Sequence, residues 1–442
     1  MKEAIHNLLD SSIRNRRSKF YEIGILLLVC INFLFALVPV FKLFPSTEFT
    51  LIIKLLLQII GFLFLVKFIE IDTKKSIVQF MFITCGFLFI WSLITSLFSS
   101  MPDVSFRRTL FVFLPSLMLM MVVISDKNVL KTFCFLARFI SYFGIFLSII
   151  GLTLRFFGKT VIIDGIPSQA LFIGPIKIYQ YIYGIPPFLR LLSLTGNPNE
   201  LGILLVLSLV FTIFLFIIKN FSLIKFILFF IPQITALILT FSRTSIGIFI
   251  IFLVLMSCLI KFGKNDKVIK LFILLFIILF AMLFYANIPI NNISSQNTDD
   301  RLSLDLNERN IIWKIVLENI KNHPFTGVGF GVSTEVILKP KGFNLSTHNF
   351  YLTVLSEIGY IGLFFTLLFS LGIMFYSVIK INKIKILSKE AYLAGLFSIL
   401  LLIVLFLHQF FESRIMNHTE LHFLWIFLLS FLVRINSNNS VY

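Results

Sequence analysis

TGNPNELGILLVLSLVFTIFLFII (195–218) decides the fold. A polar lead containing Asn197 and Asn199 gives way to an apolar run whose only charge, Glu200, sits at its edge. At about 1.5 Å per residue, a helix over 200–218 reaches roughly 28 Å, close to the thickness of a bilayer's hydrocarbon layer. The two asparagines stand where helix caps are expected, because their side-chain oxygens can accept from the first unpaired amides. Outward from this run the same pattern recurs at 23–41, 49–69, 77–98, 109–125, 132–154, 223–241, 244–260, 268–288, 350–379, 391–411 and 418–434, giving twelve predicted spans.

Of 442 residues, 58% are hydrophobic and 13% charged, and no single soluble core could hide that much apolar surface. The chain is therefore read as an all-α polytopic membrane protein, 1–442 forming one integral domain. Arg14, Arg16, Arg17 and Lys19 precede the first run without a small-residue cleavage site, so a retained first helix is expected rather than a removed signal peptide. The net charge of +17 does not point to nucleic acid. Its lysines cluster in alternate short loops (Lys74/Lys75, Lys127/Lys131, Lys219/Lys225, Lys261–Lys270, Lys380–Lys389), the positive-inside pattern that places those loops and both termini in the cytoplasm. Cys30, Cys85, Cys134 and Cys258 all fall within apolar runs, without metal-ligand spacing, and are expected to be packing residues.

Two segments, 155–199 and 289–349, are too polar to cross and fall outside as long loops. The outer side carries mainly arginine: Arg107, Arg108, Arg155, Arg190, Arg243, Arg301, Arg309 and Arg414. Arginine's planar fork suits phosphate and carboxylate better than lysine's point charge does. Within the second loop, ERNIIWKIVLENIKN (308–322) has helical periodicity, with Ile311, Ile312, Ile315, Val316 and Ile320 sharing a face. It is expected to lie on the outer membrane surface or against the bundle.

Chemistry is sought at the polar boundaries. His348, in STHNFYLTVLSEIGYIGLFF (346–365), is either an interfacial histidine bonded to loop backbone or a general base, since imidazole can accept a proton near neutral pH. Arg243, in LTFSRTSIGIF (239–249), either snorkels to headgroups or binds an anion. Arg309 opens the amphipathic helix and is equally an exposed charge or a lipid-headgroup contact on this reading. Glu357 lies too far along the helix from His348, and on its opposite face, to partner it; a neighbouring helix or an arginine is the expected partner. GVGFG (327–331) lacks the strand–loop–helix setting of a phosphate loop and is read as a glycine-permitted turn. His418 and His422 are four apart but have no third ligand, and His323 and His408 are weaker still, so structural roles are expected for all four. Asp299-Asp300 reads as a solvated loop. Neither a metal nor a nucleotide cofactor site is expected.

Four pieces in order, TGNPNELG, LTFSRTS, ERNIIWKIVLENIKNHPFTGVGFG and THNFYLTVLSEIGYIGL, resemble the O-antigen ligase/polymerase superfamily of bacterial membrane glycosyltransferases. The resemblance is best over 195–380. It implies a glycosyltransferase C-like membrane fold in the inner membrane and a metal- and ATP-independent enzyme whose site faces away from the cytoplasm. The implied donor is a glycan on undecaprenyl diphosphate, and the acceptor another glycan or lipid A–core. Membrane lipids and a chain-length regulator are further implied partners. Family roles fall on Arg243 and Arg309 as diphosphate binders and on His348 at the acceptor, with Asn199, Trp313 and Glu357 in support.

The leading expectation is a polymerase of O-antigen or capsular repeat units. Its nearest rival is the ligase that transfers the finished glycan to lipid A–core. A polysaccharide flippase, from a different class, should show matched halves and midplane sites. Here the polar material gathers in two outer segments instead, which favours an enzyme.

Overall fold

The computed structural model describes residues 22–35, 37, 47–163, 165–174, 176–184, 189–260, 299–343, 346–416 and 419–437. The span expected at 268–288, the end of the first span and His418 lie outside the described residues. The protein is an all-α polytopic membrane protein, with one small sheet among the described residues. The helices of the described residues are α1 (Glu22–Phe35), α2 (Thr47–Leu65), α3 (Ser76–Leu97), α4 (Pro102–Ser125), α5 (Val129–Phe157), α6 (Pro198–Ile217), α7 (Leu223–Leu239), α8 (Arg243–Leu259), α9 (Asp299–Asn322), α10 (Phe350–Leu387), α11 (Lys389–His408) and α12 (Glu420–Ser437). Eight are long and apolar enough to cross a membrane, and α1, α7 and α8 are shorter apolar helices.

Burial sorts the helices. In α6, α11 and α12, 83% of the apolar window is buried, so these three form the centre of the bundle; in α2 only 22% is, so most of that helix faces outward. On α7, Leu223, Ile224, Ile227, Leu228 and Ile231 form an exposed apolar stripe, as a lipid-facing helix requires. Cys30 and Cys85 are buried as expected, whereas Cys258 is exposed on α8 and packs no core.

The bundle has two chemically different ends. One collects Lys74, Lys75, Lys127, Lys219, Lys383 and Lys389, and is tied together by Lys127–Glu70 (2.8 Å), Lys131–Glu22 (3.3 Å) and Arg434 Nε on the Asp126 carbonyl (2.7 Å). The other gathers both long loops and the α7–α8 and α11–α12 turns. The first loop holds what hydropathy did not forecast, a three-stranded antiparallel sheet in the order β1 (Lys159–Ile163), β2 (Ile166–Ile173), β3 (Ile176–Tyr181). Ile163 pairs with Ile166 and Ile173 with Ile176, so each connection is a tight turn, with Gly165 and Gly174 at positive φ.

In the second loop, α9 starts earlier than its apolar periodicity. It buries Ile312, Val316 and Ile320 against Val328, Val332, Ile337 and Leu355, so it lies against the bundle through α10. Ile311 is 48% exposed: one step of about 100° carries it off the buried stripe.

The span expected to run unbroken through 350–379 is interrupted. Gly359 has φ 68 and ψ −172, dividing α10 into a first piece, 350–358, and a second piece, 360–387. The interruption frees carbonyls that the GVGFG turn then occupies. Val328 N donates to Ser356 O (2.9 Å), Gly329 N to Glu357 O (3.0 Å) and Trp91 Nε1 to Ile358 O (2.9 Å), while Tyr360 N donates to Pro324 O (2.8 Å). Gly327 permits the approach, since a Cβ there would sit 2.4 Å from the Glu357 carbonyl carbon. Unpaired backbone groups inside a membrane protein are costly, and this loop satisfies them.

Candidate functional site

The α11–α12 turn, QFFESRIM (409–416), is built around a buried glutamine. Gln409 Oε1 accepts from Arg414 N (2.9 Å) and Ile415 N (3.1 Å), which curls the turn back on itself. The start of α10 is fastened to it: Phe350 N donates to Gln409 O (2.9 Å), Asn349 Nδ2 to Phe410 O (3.2 Å) and Ser413 Oγ to Thr353 Oγ1 (2.8 Å). Asn349 also caps α10 through Leu352 N (3.1 Å). Trp313 reaches in from α9, its Nε1 donating to Thr347 O (2.9 Å), and so fixes the residue before the histidine.

His348 sits between these anchors with φ 48, a left-handed conformation unusual for a residue with a Cβ. Its Nδ1 lies 3.5 Å from Glu412 Oε2, and the side chain remains 25% exposed while that of Glu412 is 10% exposed. The imidazole thus has one nitrogen turned to a carboxylate and part of its surface open. Burial opposes the charge on Glu412. The His348 imidazole, with the Arg414 guanidinium and His408, outweighs it and holds the carboxyl down at about 2. Glu412 is therefore ionised at neutral pH.

A polar line runs on from Glu412. Asn199 Nδ2 donates to Glu412 Oε1 (3.2 Å), Arg190 Nη2 donates to Asn199 Oδ1 (2.7 Å), and Arg190 Nε donates to Thr240 O (2.8 Å) at the α7–α8 turn. Asn197 caps α6 by accepting from Asn199 N (2.8 Å), whereas Asn199, expected as a second cap, instead bridges an arginine and a carboxylate with its amide. Beside it Arg414 Nη2 pairs with Glu200 Oε2 (3.3 Å). Burial penalises the Arg414 guanidinium, but Glu200, Glu420 and Glu412 more than offset that and hold it firmly charged.

Arg309 Nη1 reaches Phe411 O at 3.4 Å, one residue from Glu412, and makes no other side-chain bond among the described residues. That leaves most of its five N–H donors open. Arg243 is the exposed first residue of α8, just past the Thr240 carbonyl that Arg190 holds, and it likewise has no side-chain partner among the described residues. The structure thus gathers His348, Arg309 and Asn199 around the 409–414 turn, with Trp313 bracing them and Arg243 at the far end of the polar line.

Glu357 does not join them. It is buried beneath the second loop, accepting from Ser333 Oγ (2.7 Å) and from the Gly331 and Ser333 amides. Arg108 holds the same loop through Gly331 O and through Glu335 Oε1 (2.9 Å). That hydrogen bond and charge outweigh the cost of burial and lower the Glu335 pKa. His422 is occupied structurally, by Ser116 Oγ (2.6 Å) and Met416 N (3.2 Å). Among the described residues no cluster of His, Cys, Asp and Glu is arranged to hold a metal ion.

Sequence reasoning missed Glu412 and gave Arg190 and Arg414 no role. The available signal was HQFFESRIMNH (408–418), a polar knot between two apolar runs, which boundary placement at 411 and 418 reduced to a plain connection.

Residues 226–367 match the family model Wzy_C, O-antigen ligase. The matched stretch holds Arg243, Arg309, Trp313, His348 and Glu357, and leaves out Asn199 and Glu412. No curated protein matches the chain. The family match supports the O-antigen ligase/polymerase superfamily, whose substrates are in general lipid-linked glycans.

Proposed function

We propose that this multi-pass membrane protein is a polymerase of the O-antigen ligase/polymerase superfamily that joins lipid-diphosphate-linked glycan repeat units. The donor is an undecaprenyl-diphosphate-linked glycan, and the acceptor is a hydroxyl on a second lipid-linked unit. The observation that carries this reading is the partly open imidazole of His348, set against ionised Glu412 and flanked by the largely uncommitted guanidinium of Arg309.

His348 takes the proton from the acceptor hydroxyl as that oxygen attacks the anomeric carbon. Glu412 stabilises the imidazolium that forms and orients the ring, while Asn199 keeps the carboxylate in place. The bond from the anomeric carbon to the diphosphate oxygen breaks, and the undecaprenyl diphosphate leaves with its electron pair. Arg309 and Arg243 meet the negative charge that develops there through charge-assisted hydrogen bonds. A single displacement inverts the anomeric centre, and the donor linkage supplies the driving force. The site lies at the end opposite the lysine-rich one. In this reading that end faces away from the cytoplasm, by the positive-inside rule, and the fold serves as a glycosyltransferase C-like scaffold.

The description of the matching family as ligase favours a second reading, transfer of the finished glycan to lipid A–core. Deletion followed by gel analysis of surface glycans separates the two. Single repeats capped on lipid A–core mark a lost polymerase, whereas long chains left on the carrier lipid mark a lost ligase. In the intact chain, His348→Ala should insert normally yet abolish the ladder of glycan lengths. A normal ladder in that variant would remove the histidine from the chemistry.

A further inference from the structure

At the lysine-rich end, far from His348, the start of α3, the inner end of α10 and the last turn of α12 enclose a cavity of about 350 Å³. Among the described residues, Lys75, Lys380 and Lys383 line it and no carboxylate does. Asp72 reaches Lys75 from outside the cavity at 3.5 Å, with both side chains substantially exposed. Lys383 makes no side-chain bond or ion pair among the described residues. Ser76 and Ile77 also line the cavity, and they open α3, whose first turn holds no acidic residue and whose N-cap, Lys75, provides no side-chain cap. Unpaired amides and the helix dipole add to the positive potential there.

The other walls are different in kind. Ile77, Ile384 and Ile435 are buried and give the cavity an apolar floor. Asn436 lines it too. Its Nδ2 donates to Leu432 O (2.7 Å) and Ser377 Oγ (3.2 Å), and its Oδ1 is buried. A ligand that suits these walls carries a phosphate for the lysines and apolar chains beside the isoleucines.

We infer that this cavity binds the headgroup of one anionic phospholipid per chain, its phosphate held by Lys75, Lys380 and Lys383. Basic pockets between membrane helices take up such headgroups, each lysine contributing about 1 kcal/mol, or roughly fivefold in affinity.

The test titrates the purified full-length chain in zwitterionic detergent with phosphatidylglycerol, phosphatidylcholine or inorganic phosphate, and counts retained molecules by native mass spectrometry. One phosphatidylglycerol should be retained saturably, in preference to phosphatidylcholine. Neutralising the three lysines together (K75Q, K380Q, K383Q) should weaken retention on the order of 100-fold. Should the triple variant fail to fold, the exposed Lys383→Gln alone carries the test, with an expected loss of about fivefold. Inorganic phosphate that binds alone and displaces the lipid equally well would overturn the lipid assignment in favour of a soluble anion. Equal retention of both lipids, or a lysine variant that binds like the parent, would overturn the site itself.

Discussion

Gly359→Ala tests whether the broken helix is built into the fold. At φ 68 and ψ −172 the backbone occupies a region essentially reserved for glycine, and an L-residue there costs about 1–3 kcal/mol. The added Cβ would also lie 2.0 Å from Phe325 O and 2.8 Å from Pro324 O, both backbone atoms, so the 324–329 segment must retreat. Retreat loses the Tyr360–Pro324 bond and loosens those from Val328 and Gly329, at about 1 kcal/mol each. The sum is a destabilisation of about 3–5 kcal/mol. Gly86→Ala supplies the control, since Gly86 lies inside α3 and a Cβ there meets nothing within 4 Å. The same substitution should stabilise that site by up to about 1 kcal/mol. Unfolding in detergent, followed by circular dichroism on the three proteins in parallel, reads both signs. G359A unfolding at or above the wild-type midpoint would refute the reasoning.

Further outcomes follow from the site. Glu412→Gln keeps an oxygen for Asn199 but places a neutral amide opposite His348, and turnover should fall about 10–100-fold while the protein still folds; wild-type turnover would dismiss the pair. Because the Glu412 carboxyl titrates lower when folded, its stabilisation is complete above the ordinary 4.5 and disappears as pH falls toward about 2. Acid titration of stability across that window should therefore be shallower in E412Q than in the parent. Arg309→Ala and Arg243→Ala should each cut use of the diphosphate-linked donor by about tenfold or more, with only partial rescue by lysine; unchanged turnover would take that arginine out of the site. Single cysteines in a cysteine-free background at Asn310 and Lys74, both exposed, should label from outside and from inside respectively with an impermeant reagent. The reverse pattern would invert the orientation.

The membrane helices were legible because crossing hydrocarbon demands a long apolar run, which any side-chain scale detects. One start was legible too: Asn197 caps α6 as its residue type suggests. Gly359 was not, because it lies within an apolar run, and hydropathy is blind to a dihedral that only the docked 324–329 segment selects. The sheet is signalled by Asp164-Gly165 and Gly174-Pro175 between β-branched stretches, a cue of turns and alternation to which the polarity of the segment is blind. His348 was visible as a titratable ring at a boundary. Its partner Glu412 was not, since the two meet only where the α11–α12 turn folds onto the start of α10. Asn199 was noticed for the wrong reason, its position favouring a cap while its amide was already committed to Arg190 and Glu412.

The interruption at Gly359 also determines what sets the aim of the histidine. In a continuous rod, inserting or deleting one residue swings everything beyond it by about 100°. Here the 350–358 piece takes its bearing from the 324–329 segment, Trp91 and the 409–413 turn rather than from the helical phase of 360–387. The transmembrane length of α10 can thus drift to suit a thicker or thinner bilayer while the imidazole keeps its heading.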